Sequence, residues 1–358
     1  MKENFKALDG IRGLTALYVM IHHARLALTQ SYQNGLSIHP EKYAWYDKLM
    51  VYAFSSFKFG HEAVIIFFVL SGFVIHLKQS DKNYNFEHFN VFTYFKKRVI
   101  RIYPTLIVSF ILVIILDYFA WLFTQTNFQE IFSKYSYNSF FFNLFLIPDA
   151  TIWGYNFPVW SLKHEWFFYI LYPFLLWLAK RHYVLALLII IGLYTSYAFG
   201  FSIPYIGTAA YTLTVWSLGC VLAGIYKNMN SMKWISYLLL LCFVYPFINK
   251  SNSYYPLSDA IFGLIVVGSL SIIIAYKNSP VNGFLKKFAW LGAFSYSIYL
   301  LHAPFLNFYQ TLILNYRQSH ALPYHLWFVL LSIMVTIPII YLIYYFTERI
   351  ALNYNRKI

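Results

Sequence analysis

Apolar runs long enough to cross a bilayer recur along this chain from one end to the other, and that recurrence limits its fold more than any other feature. Suitable runs fall at about 11–28, 61–77, 102–124, 162–179, 183–200, 208–226, 234–248, 257–276, 288–306 and 326–347. A crossing helix needs about 20 apolar residues, so about ten crossings would use about 200 residues and leave the rest for loops and ends. Another run, around 140–148, is too short to cross and reads as interfacial or re-entrant. Only 11% of the residues are charged and 60% are hydrophobic, whereas a soluble domain has about 25% charged residues. Such a chain cannot cover a water-facing surface. Disorder, collagen and coiled coil are excluded by the apolar content and the lack of a glycine or heptad period. The runs are continuous rather than alternating, which argues against a β-barrel. The expected fold is all-α: a polytopic transmembrane helical bundle of about ten spans, forming one domain over residues 1–358 with no soluble appendage.

The basic residues set an expected orientation. With the N-terminus inside, alternate segments collect most of the 27 Lys and Arg, as the positive-inside rule requires. They are Lys2, Lys6 and Arg12; Lys78, Lys82 and the 96–101 cluster; Lys180 and Arg181; Lys227 and Lys233; Lys277, Lys286 and Lys287; and Arg349, Arg356 and Lys357. Both termini are then cytoplasmic. The net charge of +14 is mostly topology, not a nucleic-acid footprint. The first span reads as an uncleaved signal-anchor, because no small-x-small cleavage site is obvious. Cys220 and Cys242 both fall in apolar runs, so no disulfide framework is expected. No HxxxH or CxxC occurs and the histidines are dispersed, so no metal site is expected.

Titratable groups inside apolar runs are costly and default to functional hypotheses. Arg12 and His23 are eleven residues apart, which puts them on one helix face about 16 Å apart along the axis. His22 points away by roughly 100°. Counting from the loops places His23, Asp117, Ser161, Glu165 and His302 in the outer half. Arg12, Lys96, Lys97, Arg98, Arg101, Lys286, Lys287 and Arg349 fall in the inner half. This division suits an anionic cosubstrate held inside with chemistry deeper in the membrane. It also suits a proton-coupled transporter, and a glycan or lipid-linked sugar exporter is the alternative function.

Five segments in order carry a resemblance. Leu8-Asp9-Gly10-Ile11-Arg12-Gly13-Leu14 is followed by His23, with ten residues between Arg12 and that histidine. Then come Ile66-Phe67-Phe68-Val69-Leu70-Ser71-Gly72-Phe73 and Arg98-Val99-Ile100-Arg101-Ile102-Tyr103-Pro104. The last two are Trp160-Ser161-Leu162-Lys163-His164-Glu165-Trp166-Phe167-Phe168-Tyr169 and Ser295-Tyr296-Ser297-Ile298-Tyr299-Leu300-Leu301-His302. Together they resemble the membrane acyltransferase-3 family, integral-membrane O-acyltransferases of bacterial surface glycans, in the short form without an appended esterase-like domain. The resemblance implies transfer of an acyl group, usually acetyl, from cytoplasmic acyl-CoA to a hydroxyl of an extracytoplasmic glycan such as lipopolysaccharide, capsule or exopolysaccharide. It implies acetyl-CoA as cosubstrate, with no metal, and a multi-pass location in the bacterial inner membrane among its lipids.

On that resemblance His23 becomes the base or the acylated nucleophile, since imidazole is the usual base near neutral pH. Glu165 is expected to orient it or to bind acceptor hydroxyls. Arg98 and Arg101 offer forked donors suited to the phosphates of coenzyme A. Arg12 adds positive potential, and Ser71 lines a path for the pantetheine arm, unless its neighbour Gly72 signals only close helix packing. Trp160, Ser161 and His302 are expected on the acceptor side. Simpler roles compete: Ser161 as an N-cap, Trp160 in an interfacial aromatic belt, and Asp9 as the cap of the first helix.

Overall fold

The structure, a computed structural model, describes residues 5–80, 84, 86–125, 129, 133–250 and 255–357; Lys2 and Lys82 of the basic segments lie outside them. No strand occurs among the described residues. In chain order the helices are α1 (Lys6–Leu28), α2 (Trp45–Phe54), α3 (Gly60–His76), α4 (Val91–Thr124), α5 (Tyr137–Leu144), α6 (Val159–Arg181), α7 (Tyr183–Ala198) and α8 (Ala209–Ile225). There follow α9 (Met229–Ile235), α10 (Tyr245–Lys250), α11 (Tyr255–Ala275), α12 (Pro280–Lys287), α13 (Ala289–Ala293), α14 (Ser295–Tyr316), α15 (Trp327–Phe346) and α16 (Glu348–Asn355). Among the described residues, four stretches are long and apolar enough to cross a membrane: Trp45–His76, Val91–Thr124, Tyr255–Ala275 and Trp327–Asn355.

Two of the apolar runs fold differently from their sequence outline. The run at 234–248 is not one helix: a 3-10 segment, Ser236–Phe243, separates α9 from α10. The run at 288–306 divides at Phe294, and the long helix behind it runs on to Tyr316. Apolar content marks what prefers lipid or core, but not where backbone hydrogen bonding breaks. The short run near 140–148 overlaps α5, which is eight residues long and ends at Leu144.

α4 shows how helix length places charge. Its 34 residues span about 50 Å at 1.5 Å each, against a hydrocarbon core of about 30 Å. The helix is thus longer than the core is thick, and its first three turns carry Lys96, Lys97, Arg98 and Arg101. Asn90 starts the helix by accepting from Thr93 N at 2.8 Å, a standard N-cap. Gln125 ends it in the left-handed region, at φ 53°.

α1 is the hub, packed against α3, α12, α13, α14 and α15. Between helices in lipid there is no net hydrophobic drive, so close backbone approach and hydrogen bonds hold the bundle. At Gly10 a Cβ would strike the Leu285 carbonyl of α12. The α3–α8 pair is built the same way. A Cβ on Gly72 would collide with the Trp216 carbonyl, and one on Gly219 with the Val69 carbonyl. Gly72 is therefore a packing residue. Replacing it with Val should destabilise the protein by about 1–3 kcal/mol through overpacking. The check is the thermal unfolding midpoint in detergent micelles; an unchanged midpoint would mean that the two helices separate at no cost.

Candidate functional site

A cavity lies between α1, α3, α4, α6 and α14. Arg12, Ser71, Arg98, Arg101, Ser161 and Glu165 line it, together with Tyr169, Tyr296 and Tyr299. Six of the residues singled out in the sequence thus meet in one space, brought there from four separate helices. His23, Trp160 and His302 are not part of its lining.

Three guanidinium groups face this space, with a single carboxylate among them. Arg12 pairs only loosely with Asp9, at 3.6 Å. Arg98 lies over the rings of Tyr94 and Tyr169, at 5.4 and 5.3 Å from their centroids. Stacking of this kind holds a guanidinium plane without consuming its N–H donors. The Arg98 Nε is buried with no hydrogen-bond partner. An unsatisfied buried donor on a cation costs free energy, and an anion in the cavity would satisfy it.

Glu165 sits at this level and not beside His23. It accepts from Ser71 Oγ at 2.5 Å and from the Tyr169 hydroxyl. Ser71 Oγ also accepts from Trp216 Nε1 at 3.3 Å. The expectation that Glu165 orients His23 fails because Glu165 lies in the second turn of α6, facing Ser71, and Ser71 is eleven residues beyond Gly60, where α3 passes the His22 ring. Ser71 itself is tied into this network and has one edge on the cavity. Ser161 is not the cap of α6: Pro158 holds that position without a side-chain hydrogen bond, and Ser161 lies inside the first turn. Its hydroxyl bonds the Tyr299 hydroxyl at 2.6 Å at the edge of the cavity. The Trp160 indole packs among rings of the bundle, parallel to His61 at 6.1 Å and edge-on to His164 at 5.1 Å.

The second part of the site is a pair of imidazoles. His23 Nδ1 lies 2.8 Å from His302 Nε2, and His302 Nδ1 lies 2.9 Å from the Ile298 carbonyl oxygen. The His302 side chain is fully buried. With both ring nitrogens engaged, it has none left for an acceptor sugar, contrary to the sequence expectation. Phe157 packs edge-on to His23 at 4.7 Å. His22 is turned aside and bonds the Phe57 carbonyl at 2.7 Å. Tyr299 joins the two parts of the site: its hydroxyl reaches Ser161, and its ring lies 6.2 Å from that of His302.

Several participants escaped the sequence reading. Tyr169 follows Glu165 by four residues and so shares its face; that spacing was a usable signal. Tyr296 donates to the Ile102 carbonyl at 3.0 Å and fixes α14 against the arginine-bearing end of α4. Glu348, 3% exposed, accepts from Ser297 N at 3.1 Å and Ser297 Oγ at 2.6 Å. A carboxylate at the first turn of α14 is favoured by that helix's dipole. Nothing in its local sequence marks this role. Asp117, by contrast, is a structural tie: Lys134 lies 2.9 Å away and the Tyr135 hydroxyl donates to it.

A chain whose described residues form helices and no strand, several of those helices apolar enough to cross a bilayer, is an integral membrane protein. The chain belongs to the acyltransferase-3 family, whose model, described as "Acyltransferase domain", matches residues 5–345. Among curated proteins it is 28% identical to the peptidoglycan O-acetyltransferase OatA of Listeria monocytogenes, over 96% of this chain and 55% of that protein. The chain therefore spans about half the length of that relative. It is also 25% identical to "Putative acetyltransferase ORF330" of the Acidianus two-tailed virus, over 71% of this chain and 76% of that protein. No solved structure matches the chain significantly.

Proposed function

We propose that residues 1–358 form one domain, a membrane O-acyltransferase. It takes an acyl group, acetyl by preference, from cytoplasmic acyl-CoA and delivers it to a hydroxyl of an extracytoplasmic glycan. Its bundle of about ten spans crosses the bacterial inner membrane with both termini in the cytoplasm. The alternating basic segments support that topology. The observation that carries the reading is the cavity where Arg12, Arg98 and Arg101 converge, with Tyr299 connecting it to the His23–His302 pair. Three cations against one carboxylate suit the phosphates of a coenzyme A donor. Its thioester end then extends along α1 toward His23, about 16 Å beyond Arg12. The name of the Listeria relative supports acetyl as the group and a cell-surface polymer as the acceptor.

In the transfer, His23 removes the proton of the acceptor hydroxyl while the oxygen attacks the thioester carbonyl. The tetrahedral intermediate expels the coenzyme A thiolate, which takes up the proton from the imidazolium. Glu165 keeps Ser71 and Tyr169 in place and offsets part of the arginine charge. The test is mass spectrometry of surface glycans from cells with and without the gene. A loss of about one acetyl mass per acylated repeat supports the reading. An unchanged ester content together with failed glycan export would replace it with a transporter.

A further inference from the structure

The geometry points to His302 as the positioning residue of His23: it fixes the tautomer of that ring so that Nε2 is the bare nitrogen offered to the acceptor. This rests on the reading of His23 as the base.

The Ile298 carbonyl oxygen can only accept, so His302 Nδ1, 2.9 Å away, carries a proton. A neutral imidazole has one N–H, which leaves His302 Nε2 as an acceptor. The atom facing it at 2.8 Å is His23 Nδ1, which must donate. The single proton of neutral His23 is then on Nδ1, and its Nε2 carries a free lone pair. That Nε2 has no hydrogen-bond partner among the described residues. The ring planes are within 10° of each other and the centroids 5.1 Å apart. With a nitrogen–nitrogen contact of 2.8 Å, this is an edge-to-edge, nearly coplanar pair. The donated proton therefore lies close to the acceptor lone pair, where a hydrogen bond is strongest.

The anchor is rigid. Ile298 and His302 are one turn apart in α14, and the His302 side chain is fully buried. No carboxylate bonds either ring among the described residues; the nearest further imidazole, His22, is 5.2 Å from His23 and is held by Phe57. Orientation comes from a neutral ring where many bases lean on an acid. When His23 Nε2 takes the hydroxyl proton, the Nδ1–H of the resulting imidazolium still donates to His302 Nε2. The new charge is thereby stabilised without a competing ion pair.

The experiment uses full-length protein in lipid nanodiscs with 15N-labelled histidine, the His23 signals being identified by their loss in His23→Ala. In the wild type, His23 should show a protonated Nδ1 and an unprotonated Nε2 near neutral pH. His302→Leu keeps side-chain bulk but removes the acceptor, and should leave His23 in a mixture of tautomers. His302→Gln supplies a carbonyl oxygen to accept from Nδ1–H, and should restore the wild-type pattern. Turnover, read as thiol release from acetyl-CoA with a chitin oligosaccharide as acceptor, should fall about 10²-fold in kcat for His302→Leu, the low end of what a positioned base contributes. KM for the donor should stay within about twofold, and the Gln variant should recover most of the loss. A wild-type His23 protonated on Nε2 overturns the inference, as does a Leu variant with unchanged tautomer and turnover. Full turnover in His23→Ala would instead sink the reading of His23 as the base, whatever the spectra show.

Discussion

His23→Ala is expected to lower acyl transfer by about 10⁴-fold, the upper end of what a positioned general base supplies. The fold should tolerate the change. His23 is only partly buried, and the bond it gives up is to His302. His302 Nε2 then faces the space left by the ring, where water can satisfy it. Donor binding should persist, because Arg12, Arg98 and Arg101 lie in a cavity that His23 does not line. The measurement is acylated glycan per cell together with acetyl-CoA affinity of the purified protein. Loss of both at once would place His23 in the binding or folding of the protein and not in its chemistry.

The double variant Arg98→Ala, Arg101→Ala is expected to act on the other half of the reaction. A hydrogen bond to a charged group contributes about 1.5–3 kcal/mol, and 1.4 kcal/mol is tenfold in affinity. Losing two such donors should raise KM for acetyl-CoA by about 10²–10⁴-fold, with kcat little changed at saturating donor. Arg98→Lys alone should recover little. An ammonium keeps the charge but has neither the planar stack on Tyr94 and Tyr169 nor the fork. Steady-state kinetics in nanodiscs decide this. If KM is unmoved and kcat falls, the arginines serve the transition state instead of the bound donor.

The parts of the site that were legible in the sequence share one property: their geometry is set within a single helix. Arg12 and His23 could be assigned a common face because a helix repeats every 3.6 residues. Arg98 and Arg101, three residues apart, followed the same logic. Glu165 could not be placed this way. Its depth depends on where α6 begins relative to α3, and a count from the loop put it too far out. The structure joins it to Ser71, 94 residues earlier in the chain. His302 was recognised as unusual, yet its partner is 279 residues away, and its role follows entirely from that contact. Glu348 shows the limit most clearly, since one carboxylate after an apolar run looks like many others until Ser297 is found against it.

The sequence by itself determined that this chain is helical and destined for a membrane, because the cost of placing unpaired backbone and charge in hydrocarbon leaves few alternatives. It also determined which polar residues were out of place. Tertiary structure alone decided which of those residues meet, because helix crossings set by glycine contacts at Gly10 and Gly72 fix the axial registers, and a register shift of one turn moves a side chain by about 5.4 Å. That distance separates a hydrogen bond from no interaction at all.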